Sequence, residues 1–330
     1  MNRRTVLKTL GFAATLPLTS VARASEAYAS RPIRLVVPYP PGGVTDVAAR
    51  LAGEVLTARY GQPVVVENRP GASGLIGQQV VASSAPDGYT LIMGGLGGNV
   101  LPPVTVKGLP LDVPKAFVPI AQIAEFINVL VVSKDSPVTN VQEFVALAKS
   151  KGAGAMSYGS NGIGTSAHLT TEFFAQRTGL KMEHVPYKGS GELNIDVANG
   201  NLDFSINNLP AVLPLVKKGS LKAIAVTSTY RSKQLPDTPT FQESGIADFD
   251  VTSWLGVYAP AALPPALAQE LGDVIAKGMS APEMRKRLET AGFEPQPRGA
   301  KEFAALNQRE LERWGEIARR ANVVIPFGKG

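Results

Sequence analysis

The chain contains no cysteine and only two histidines, His168 and His184. The lack of cysteine excludes disulfide frameworks, thiolate zinc sites, iron–sulfur clusters and cysteine nucleophiles. The two histidines are far apart in the sequence and do not form the H-E-x-x-H pattern of zinc hydrolases. We therefore expect neither a metal site nor a cofactor.

Long hydrophobic runs are also missing from the sequence. Beyond the first 24 residues, no apolar segment approaches the roughly 20 residues that a membrane-spanning helix needs. The chain has 330 residues, of which 44% are hydrophobic and 18% are charged. This composition is typical of a globular protein with one or two cores and not of a disordered chain.

The positive net charge does not indicate nucleic-acid binding. The formal charge is +6, but Arg3, Arg4, Lys8 and Arg23 lie in the first 24 residues, which contain no acid, and the remainder has 29 basic and 27 acidic residues. No run of five lysines or arginines occurs, and no segment interleaves basic with aromatic residues. We expect no nucleic-acid partner.

Residues 1–24 have the pattern of a cleaved signal peptide. A basic start precedes a mildly apolar stretch, and small residues occupy alternate positions up to Ala24, where signal peptidase would cut; a second cleavage position follows Ala29. The segment RRTVLK resembles the twin-arginine export signal. The alternative, a retained amphipathic helix, is interrupted by a glycine and a proline. No cysteine offers a lipid anchor, so we expect a mature protein free in the periplasm.

After this leader, strand patterns alternate with helix patterns. Residues 32–38, 63–67 and 89–93 are β-branched runs typical of strands. Apolar residues recur at helical spacing from Val44 to Val55, with Thr45 placed to cap that helix, and residues 75–82 predict a second helix. Glycine-bearing loops join the strands to the helices. This order is typical of a parallel α/β sheet.

A second series of the same kind begins near Asn128. It predicts strands at 129–132, 156–159, 202–206 and 221–227, a strand leading into His184, and helices at 141–150 and 166–177. The last 70 residues are mainly helical. Two such units match the size of two domains rather than one. Because ligands of α/β sheets bind at the carboxyl ends of the strands, we expect the site in an interdomain cleft.

Two glycine-rich loops carry the clearest chemical signal. One spans residues 39–46 (YPPGGVTD) and the other residues 159–168 (GSNGIGTSAH), and each joins a strand to a helix start. The first N–H groups of a helix lack intrahelical partners and carry the positive end of the helix dipole, so such loops bind anions without lysine or arginine. The anion is a carboxylate or a phosphate; phosphate is less well supported, because neither loop matches a dinucleotide or P-loop fingerprint. For each loop taken alone, an ordinary glycine turn that binds nothing is as well supported as an anion site.

Catalytic patterns are sparse. There is no G-x-S-x-G motif, and Ser73 and Ser160 have only the two histidines as candidate bases. His168 follows the second loop, and a capping or packing role is favoured over a role as general base. Asp46 lies in the first turn of its helix, where the dipole favours an acid whether or not it lines a pocket.

Three other side chains have both a structural and a functional interpretation. Trp254 and Tyr187 are candidates for stacking on a ligand, although buried aromatic residues usually belong to the core. Lys188 either pairs with an anion or is solvated.

The mature chain resembles the Bug (TctC) family of periplasmic solute-binding proteins, the capture components of tripartite tricarboxylate transporters. Each matching motif is weakly specific alone, but together they run in order across nearly the whole mature length. They are RPIRLVVPYPPGG at 31–43 with Asp46, VVVENRPGA at 64–72, APDGYTL at 85–91, HVPYKG at 184–189, AIAVTS at 223–228 and LPDTPT at 235–240.

This resemblance implies an α/β, two-domain type II periplasmic-binding-protein fold with an interdomain ligand cleft. Residues 25–128 plus 252–330 would form domain 1, and residues 129–251 domain 2. The implied ligand is a small organic, dicarboxylic or aromatic acid, held by a carboxylate against the two glycine loops. The implied partners are the membrane permease subunits, and we expect a monomer.

The loop argument and the resemblance together predict a set of ligand-binding residues. They are Tyr39, Pro41, Gly42, Gly43, Thr45, Asp46, Ser73, Ser160, Asn161, Gly162, Gly164, Thr165, Ser166, His168, Tyr187, Asn207 and Asn208.

The sequence departs from the family pattern at two places. Asn207-Asn208 stands where the family pattern leads us to expect Asp-Asn before Leu-Pro, which removes a carboxylate that could hold an amino group. An amino-acid ligand is therefore disfavoured. Near Gly97-Gly98-Asn99 the usual histidine is absent, which predicts a more open rim.

The alternative function is that of a periplasmic lyase or hydrolase acting on an organic acid, with His168 and Asp46 as proton-transfer groups. It requires a base and a residue that orients it, and the sequence offers no such pair. The sequence therefore favours a binding protein that performs no chemistry.

Overall fold

The computed structural model describes residues 28–321 and 324–327. The predicted signal peptide at residues 1–24, with its twin-arginine motif, lies outside the described residues. Within the described ranges, no helix combines the length and apolarity needed to cross a membrane.

Strands and helices alternate along most of the chain. The strands are β1 (Ile33–Val37), β2 (Val64–Asn68), β3 (Thr90–Gly95), β4 (Val106–Lys107), β5 (Phe117–Ser133), β6 (Ser157–Ser160), β7 (Glu183–Pro186), β8 (Ser205–Asn208), β9 (Leu221–Val226), β10 (Thr252–Pro260) and β11 (Ile325–Pro326). The helices are α1 (Val44–Tyr60), α2 (Leu75–Ala82), α3 (Leu101–Thr105), α4 (Val113–Ala116), α5 (Val141–Lys151), α6 (Ser166–Thr178), α7 (Ser190–Ala198), α8 (Leu209–Lys217), α9 (Pro265–Met279), α10 (Pro282–Thr290) and α11 (Ala300–Ala321).

The strands form two halves that share one long strand. The first half has the order β2-β1-β3-β10-β5, in which β10 runs antiparallel to its neighbours. In the second half, β8 and β9 flank β5 and run antiparallel to it. The parallel pair β6-β7 joins β8 through a parallel bridge between Tyr158 and Phe204. The second half therefore reads β7-β6-β8-β5-β9 and repeats the arrangement of the first.

The predicted parallel pairing is confirmed for β1 to β3 and for β6 and β7. The predicted strands at 129–132, 202–206 and 221–227 are also present, within or overlapping β5, β8 and β9, but their antiparallel pairing was not predicted, and neither was strand β10. Strand β5 begins at Phe117, well before the predicted start at residue 129, because residues 117–127 pair with β10. This pairing joins segments that are more than 100 residues apart, so it leaves no local pattern.

Strand β5 crosses from one half to the other at a single point. Its last partner in the first half is Thr252, opposite Ile127, and its pairing with β8 begins at Asn128. The chain returns between Thr227, whose side chain hydrogen-bonds the Val251 carbonyl, and Thr252. Using the predicted domain boundaries, we call residues 28–128, 252–321 and 324–327 the first lobe and residues 129–251 the second lobe.

Helix α1 shows how local sequence places a helix start at the carboxyl end of a strand. It follows β1 after a loop of prolines and glycines, and it ends at Gly61, whose φ of 69° suits a left-handed C-cap. Its apolar face, including Val55, is buried against α9. A Cβ at Gly278 would lie 2.2 Å from Val55 Cγ1, so a glycine permits this close packing. The N-cap is Gly43 and its helix lacks a side-chain cap, so the prediction that Thr45 caps the helix is wrong.

Candidate functional site

A cavity of about 520 Å³ lies between the lobes. Its first-lobe wall comes from the loop after β1, the glycine-rich segment after β3, and residues of β5 and β10. Its second-lobe wall comes from the loops that lead into α6, α7 and α8. The lobes approach each other closely beside it, since a Cβ on Gly97 would lie 3.2 Å from the Ser166 nitrogen.

Four helices point their N-termini at this cavity. The N-cap residues Gly43, Thr165, Gly189 and Asn208, which begin α1, α6, α7 and α8, all line its wall. None of the four makes a side-chain capping hydrogen bond with a described residue. The unpaired N–H groups and the helix dipoles therefore make the cavity favourable for negative charge.

Asp46 holds the first loop in place from behind. Its carboxylate accepts hydrogen bonds from the Gly42 nitrogen (3.0 Å), from Arg50 (3.0 and 3.1 Å) and from the Asn68 amide (3.1 Å). Burial opposes ionisation, but the hydrogen bonds from Arg50, Gly42 and Asn68 outweigh it and lower the pKa of Asp46. The side chain is 5% exposed and is not part of the cavity wall. Asp46 therefore orients the loop and has no free oxygen for proton transfer.

The second loop folds back on itself through hydroxyl groups. Ser160 Oγ lies 3.0 Å from the Gly162 carbonyl oxygen, and Thr165 Oγ1 donates to the same oxygen at 2.6 Å. Gly162 has φ of 134°, which favours glycine. Asn161 faces the cavity, and its buried Oδ1 has no hydrogen-bond partner among the described residues.

The two histidines stack behind this loop. Their ring centroids are 4.0 Å apart and the rings are nearly parallel, at 8°. His168 Nδ1 accepts a hydrogen bond from the Gly164 nitrogen (3.0 Å), and His184 Nε2 lies 2.7 Å from Ser160 Oγ. Burial lowers the pKa of each histidine to about 4, so both are neutral at pH 7. His168 is not on the cavity wall, and its contacts are those of a packing residue that supports the loop.

A cluster of three buried asparagines joins the starts of α7 and α8. The Asn207 amide nitrogen donates to Asn194 Oδ1 (2.9 Å), and Asn194 donates to the Ala211 carbonyl (2.9 Å). Asn207 Oδ1 accepts from the Asn208 nitrogen (2.8 Å) and lies 3.4 Å from Ser190 Oγ. Asn207 therefore positions its neighbours from outside the cavity, whereas Asn194 and Asn208 line the wall.

The predicted site residues divide into two groups. Those on the cavity wall are Tyr39, Pro41, Gly42, Gly43, Thr45, Asn161, Thr165, Ser166 and Asn208. Those outside the wall are Asp46, Ser73, Ser160, Gly162, Gly164, His168, Tyr187 and Asn207. Most residues outside the wall make hydrogen bonds or packing contacts with other protein groups. These contacts stabilise the loops that carry the wall residues.

Two members of the second group make contacts that explain their position. Ser73 Oγ donates to the Ile163 carbonyl at 2.8 Å, which is a hydrogen bond from the first lobe to the second. Both Ala72 and Ser73 have positive φ, a strained backbone for residues other than glycine. The Tyr187 hydroxyl donates to Asp196 at 2.5 Å instead of facing the cavity.

The predicted set of ligand-binding residues leaves out part of the wall. Most of the segment Gly94 to Asn99 after β3, of which only 97–99 was predicted to lie at the cleft rim, and the segment Lys188 to Glu192, of which only Lys188 was a candidate anion partner, line the cavity. The first has a signal that could have found it, because GGLGGN follows a buried strand at its carboxyl end. Trp254, predicted as a candidate for stacking on a ligand, and Leu255, which was not predicted, both line the wall from β10, a strand that reaches the site only through its long-range pairing.

The electrostatics of the wall come mainly from the backbone. Over the described part of the chain, Lys188 is the one basic wall residue and Glu192 the one acidic wall residue, and both are exposed. No group of three or more histidine, cysteine, aspartate or glutamate side chains is placed to hold a metal in the described ranges.

Comparison with known proteins identifies a family. The model of the tripartite tricarboxylate transporter family receptor (TctC) matches residues 48–323. Protein BugT of Bordetella pertussis is 33% identical over 98% of this chain and all of its own length.

Solved structures agree with this match over most of the chain. The R. palustris Rpa4515 structure with adipate has a TM-score of 0.86 at 33% identity and covers 91% of this chain and 99% of its own. The structure of periplasmic binding protein BugD has a TM-score of 0.83 at 30% identity, with 90% and 99% coverage. MatC (Rpa3494) from Rhodopseudomonas palustris with bound malate has a TM-score of 0.82 at 28% identity, with 88% and 99% coverage.

Proposed function

Because the chain belongs to the tripartite tricarboxylate transporter receptor (TctC) family, we propose that it captures a small organic, dicarboxylic or aromatic acid between its lobes and presents it to the membrane permease subunits of such a transporter. The chain has the two-domain α/β fold of the periplasmic binding proteins and is a receptor, not an enzyme. The lyase or hydrolase alternative is therefore wrong. It also lacks a physical basis, because neither His168 nor Asp46 reaches the cavity wall.

One observation carries the carboxylate assignment. Four helix N-termini, none of them capped by the side chain of a described residue, face one cavity whose described wall has a single, exposed lysine. A hydrogen bond from an N–H group to a charged acceptor contributes about 1.5 to 3 kcal/mol. Because this contribution is already net of the lost hydration, several such bonds can hold a carboxylate without a buried cation.

The volume of the cavity and the distribution of the four helices between the two lobes support the same proposal. A volume of about 520 Å³ lies within the usual range for small-molecule sites, roughly 300 to 1,000 Å³. Helix α1 belongs to the first lobe and the other three helices to the second. An acid held by both lobes would stabilise their approach, and a permease would then distinguish the loaded receptor from the empty one.

The place of action forms part of the proposal. The leader pattern predicts export to the periplasm, where the receptor would be free to diffuse between the ligand and the permease. One chain supplies both walls of the cavity, so the proposed capture needs no second copy.

Calorimetry with a panel of acids tests the proposal. The mature protein, purified without refolding, is titrated with succinate, glutarate, adipate, malate and benzoate, and the bound acid is recovered for mass spectrometry. We expect 1:1 binding of at least one acid, recovered unchanged. Failure of every acid to bind a folded protein would refute the carboxylate assignment.

A further inference from the structure

Residues 28–31 precede β1 and pack against the first lobe. The Tyr28 hydroxyl donates to the Gly88 carbonyl at 2.7 Å. The Tyr28 ring contacts Tyr60 edge-on at 5.0 Å and Tyr89 at 5.3 Å. A Cβ at Gly88 would lie 2.7 Å from Tyr28 Cε2, so the ring fits closely against a glycine. We call residues 28–31 the N-terminal anchor.

The backbone of the anchor is fixed as well. Ala29 is 6% exposed and belongs to the hydrophobic core of the first lobe. The Ser30 nitrogen donates to the Tyr89 hydroxyl at 2.9 Å. Arg31 pairs with Asp87 at 2.9 Å and lies over the Tyr89 ring at 4.1 Å. Each residue of the anchor therefore contacts another part of the first lobe.

One of the two predicted signal-peptidase positions falls inside this anchor. A cut after Ala29 would remove Tyr28 from the mature chain. Proteolysis concentrates in exposed backbone with few hydrogen bonds, whereas Ala29 is buried and the nitrogen of Ser30 is bonded. The other position, after Ala24, lies outside the described residues, and a cut there leaves the anchor whole.

We propose that signal peptidase cuts after Ala24 alone, because folding of the first lobe protects the position after Ala29. The step is hydrolysis of the peptide bond between Ala24 and Ser25. Water adds across this bond, the new carboxylate stays on Ala24 of the leader, and the new amino group is that of Ser25. The mature protein then begins at Ser25 and retains Tyr28.

The inference rests on the proposed export to the periplasm and names the processing site. It does not depend on the captured acid. The anchor precedes the first residue of β1, whereas the cavity wall begins beyond the last residue of that strand.

Cleavage of the folded precursor by purified signal peptidase in detergent tests the inference. Mass spectrometry of the products identifies each cut, and we expect a single product that begins at Ser25. A synthetic peptide of residues 16–36 contains both positions without the first lobe and should be cut after Ala24 and after Ala29. A product of the folded precursor that begins at Ser30, or no cut after Ala24, would overturn the inference. A peptide that resists cleavage after Ala29 would also overturn it, since the fold would then protect nothing.

Two substitutions test whether the anchor provides the protection. Tyr28→Ala removes the ring, and Gly88→Ala displaces it without altering the sequence around the cut. Cleavage of a protected position follows the population of the locally open form, so either variant should increase the product beginning at Ser30 roughly 10-fold or more. Tyr230→Ala, at a tyrosine of the second lobe that is 43% exposed, is the matched control and should give the single product. Melting curves show which variants fold, and unchanged protection in both folded anchor variants would refute the role of Tyr28.

The stability of shortened chains gives a readout without a protease. Chains that begin at Ser25 and at Ala27 both contain the anchor and should melt at the same temperature. A chain that begins at Ser30 lacks Tyr28 and Ala29 and should melt several degrees lower. Equal melting temperatures for all three chains would show that the anchor does not stabilise the lobe and would overturn the inference.

The N-terminus of the protein isolated from the periplasm separates this inference from the proposed export. A chain that begins at Ser25 is the expected result. A chain that begins at Ser30 would overturn the inference and leave export in place. An unprocessed chain that stays in the cytoplasm would refute export itself.

Discussion

Removal of one backbone N–H at Gly43 would test whether amides, and not cations, hold the ligand. Gly43 is the N-cap of α1, it lines the cavity, and its N–H donates to no described acceptor. Its φ of −78° is close to the value that proline adopts, so Gly43→Pro deletes the N–H at a φ that suits proline. Gly43→Ala keeps the N–H and is the matched control, because its Cβ would meet only the Pro40 carbonyl oxygen at 3.7 Å.

The expected loss follows from the strength of one hydrogen bond. A bond from an N–H to a carboxylate contributes about 1.5 to 3 kcal/mol, so Gly43→Pro should weaken binding roughly 10- to 150-fold. Lys188→Met removes an exposed cation and should cost at most about 1 kcal/mol, or roughly 5-fold. Gly43→Ala should lie within about 3-fold of the unsubstituted protein.

Calorimetric titration of the three folded variants with the best-binding acid measures these differences. Melting curves establish beforehand that each variant unfolds cooperatively. If Lys188→Met lost more affinity than Gly43→Pro, the amide argument would be refuted and Lys188 would be the anchoring group. A loss of similar size in Gly43→Ala would show that bulk at this position, and not the N–H, is responsible.

Three further predictions concern stability, motion and export. Burial lowers the pKa of His168 from 6.5 to about 4, whereas in the unfolded chain the imidazole takes up a proton below pH 6.5. The free energy of unfolding should therefore be highest above pH 6.5 and fall by about 3 kcal/mol as the pH falls towards 4. Denaturant melts should show a flatter acid profile for His168→Gln. Ser73→Ala removes the hydrogen bond to the Ile163 carbonyl and should speed ligand release severalfold in stopped flow. Small-angle scattering of the unsubstituted protein should show a smaller radius of gyration when ligand is bound. An unchanged release rate and an unchanged radius of gyration would argue against closure of the lobes. Replacement of Arg3 and Arg4 by lysine should leave unprocessed precursor in the cytoplasm, and normal export would exclude the twin-arginine route.

Local sequence patterns were sufficient for the elements that depend on neighbours along the chain. The start of α1 after the proline-glycine loop and the start of α6 at Ser166 were predicted, because period, glycine and proline act within a few residues. The two loops that begin these helices were predicted as candidate anion sites for the same reason. Both loops reach the cavity wall through residues such as Gly43 and Thr165.

Only the tertiary structure decided which residues share a wall and which stand behind it. Pairing of β5 with β10 brings Trp254 to the cavity from far along the chain, and the stacking of His168 on His184 turns a candidate base into a loop support. Asp46 and Asn207 were predicted on the correct loops, yet their side chains point to other protein groups because buried polar atoms must be paired. The bonds that join Asp46 to Asn68 and Asn207 to Asn194 span 22 and 13 positions of the chain, which no local pattern encodes, whereas the Asp46–Arg50 pair at i,i+4 is local.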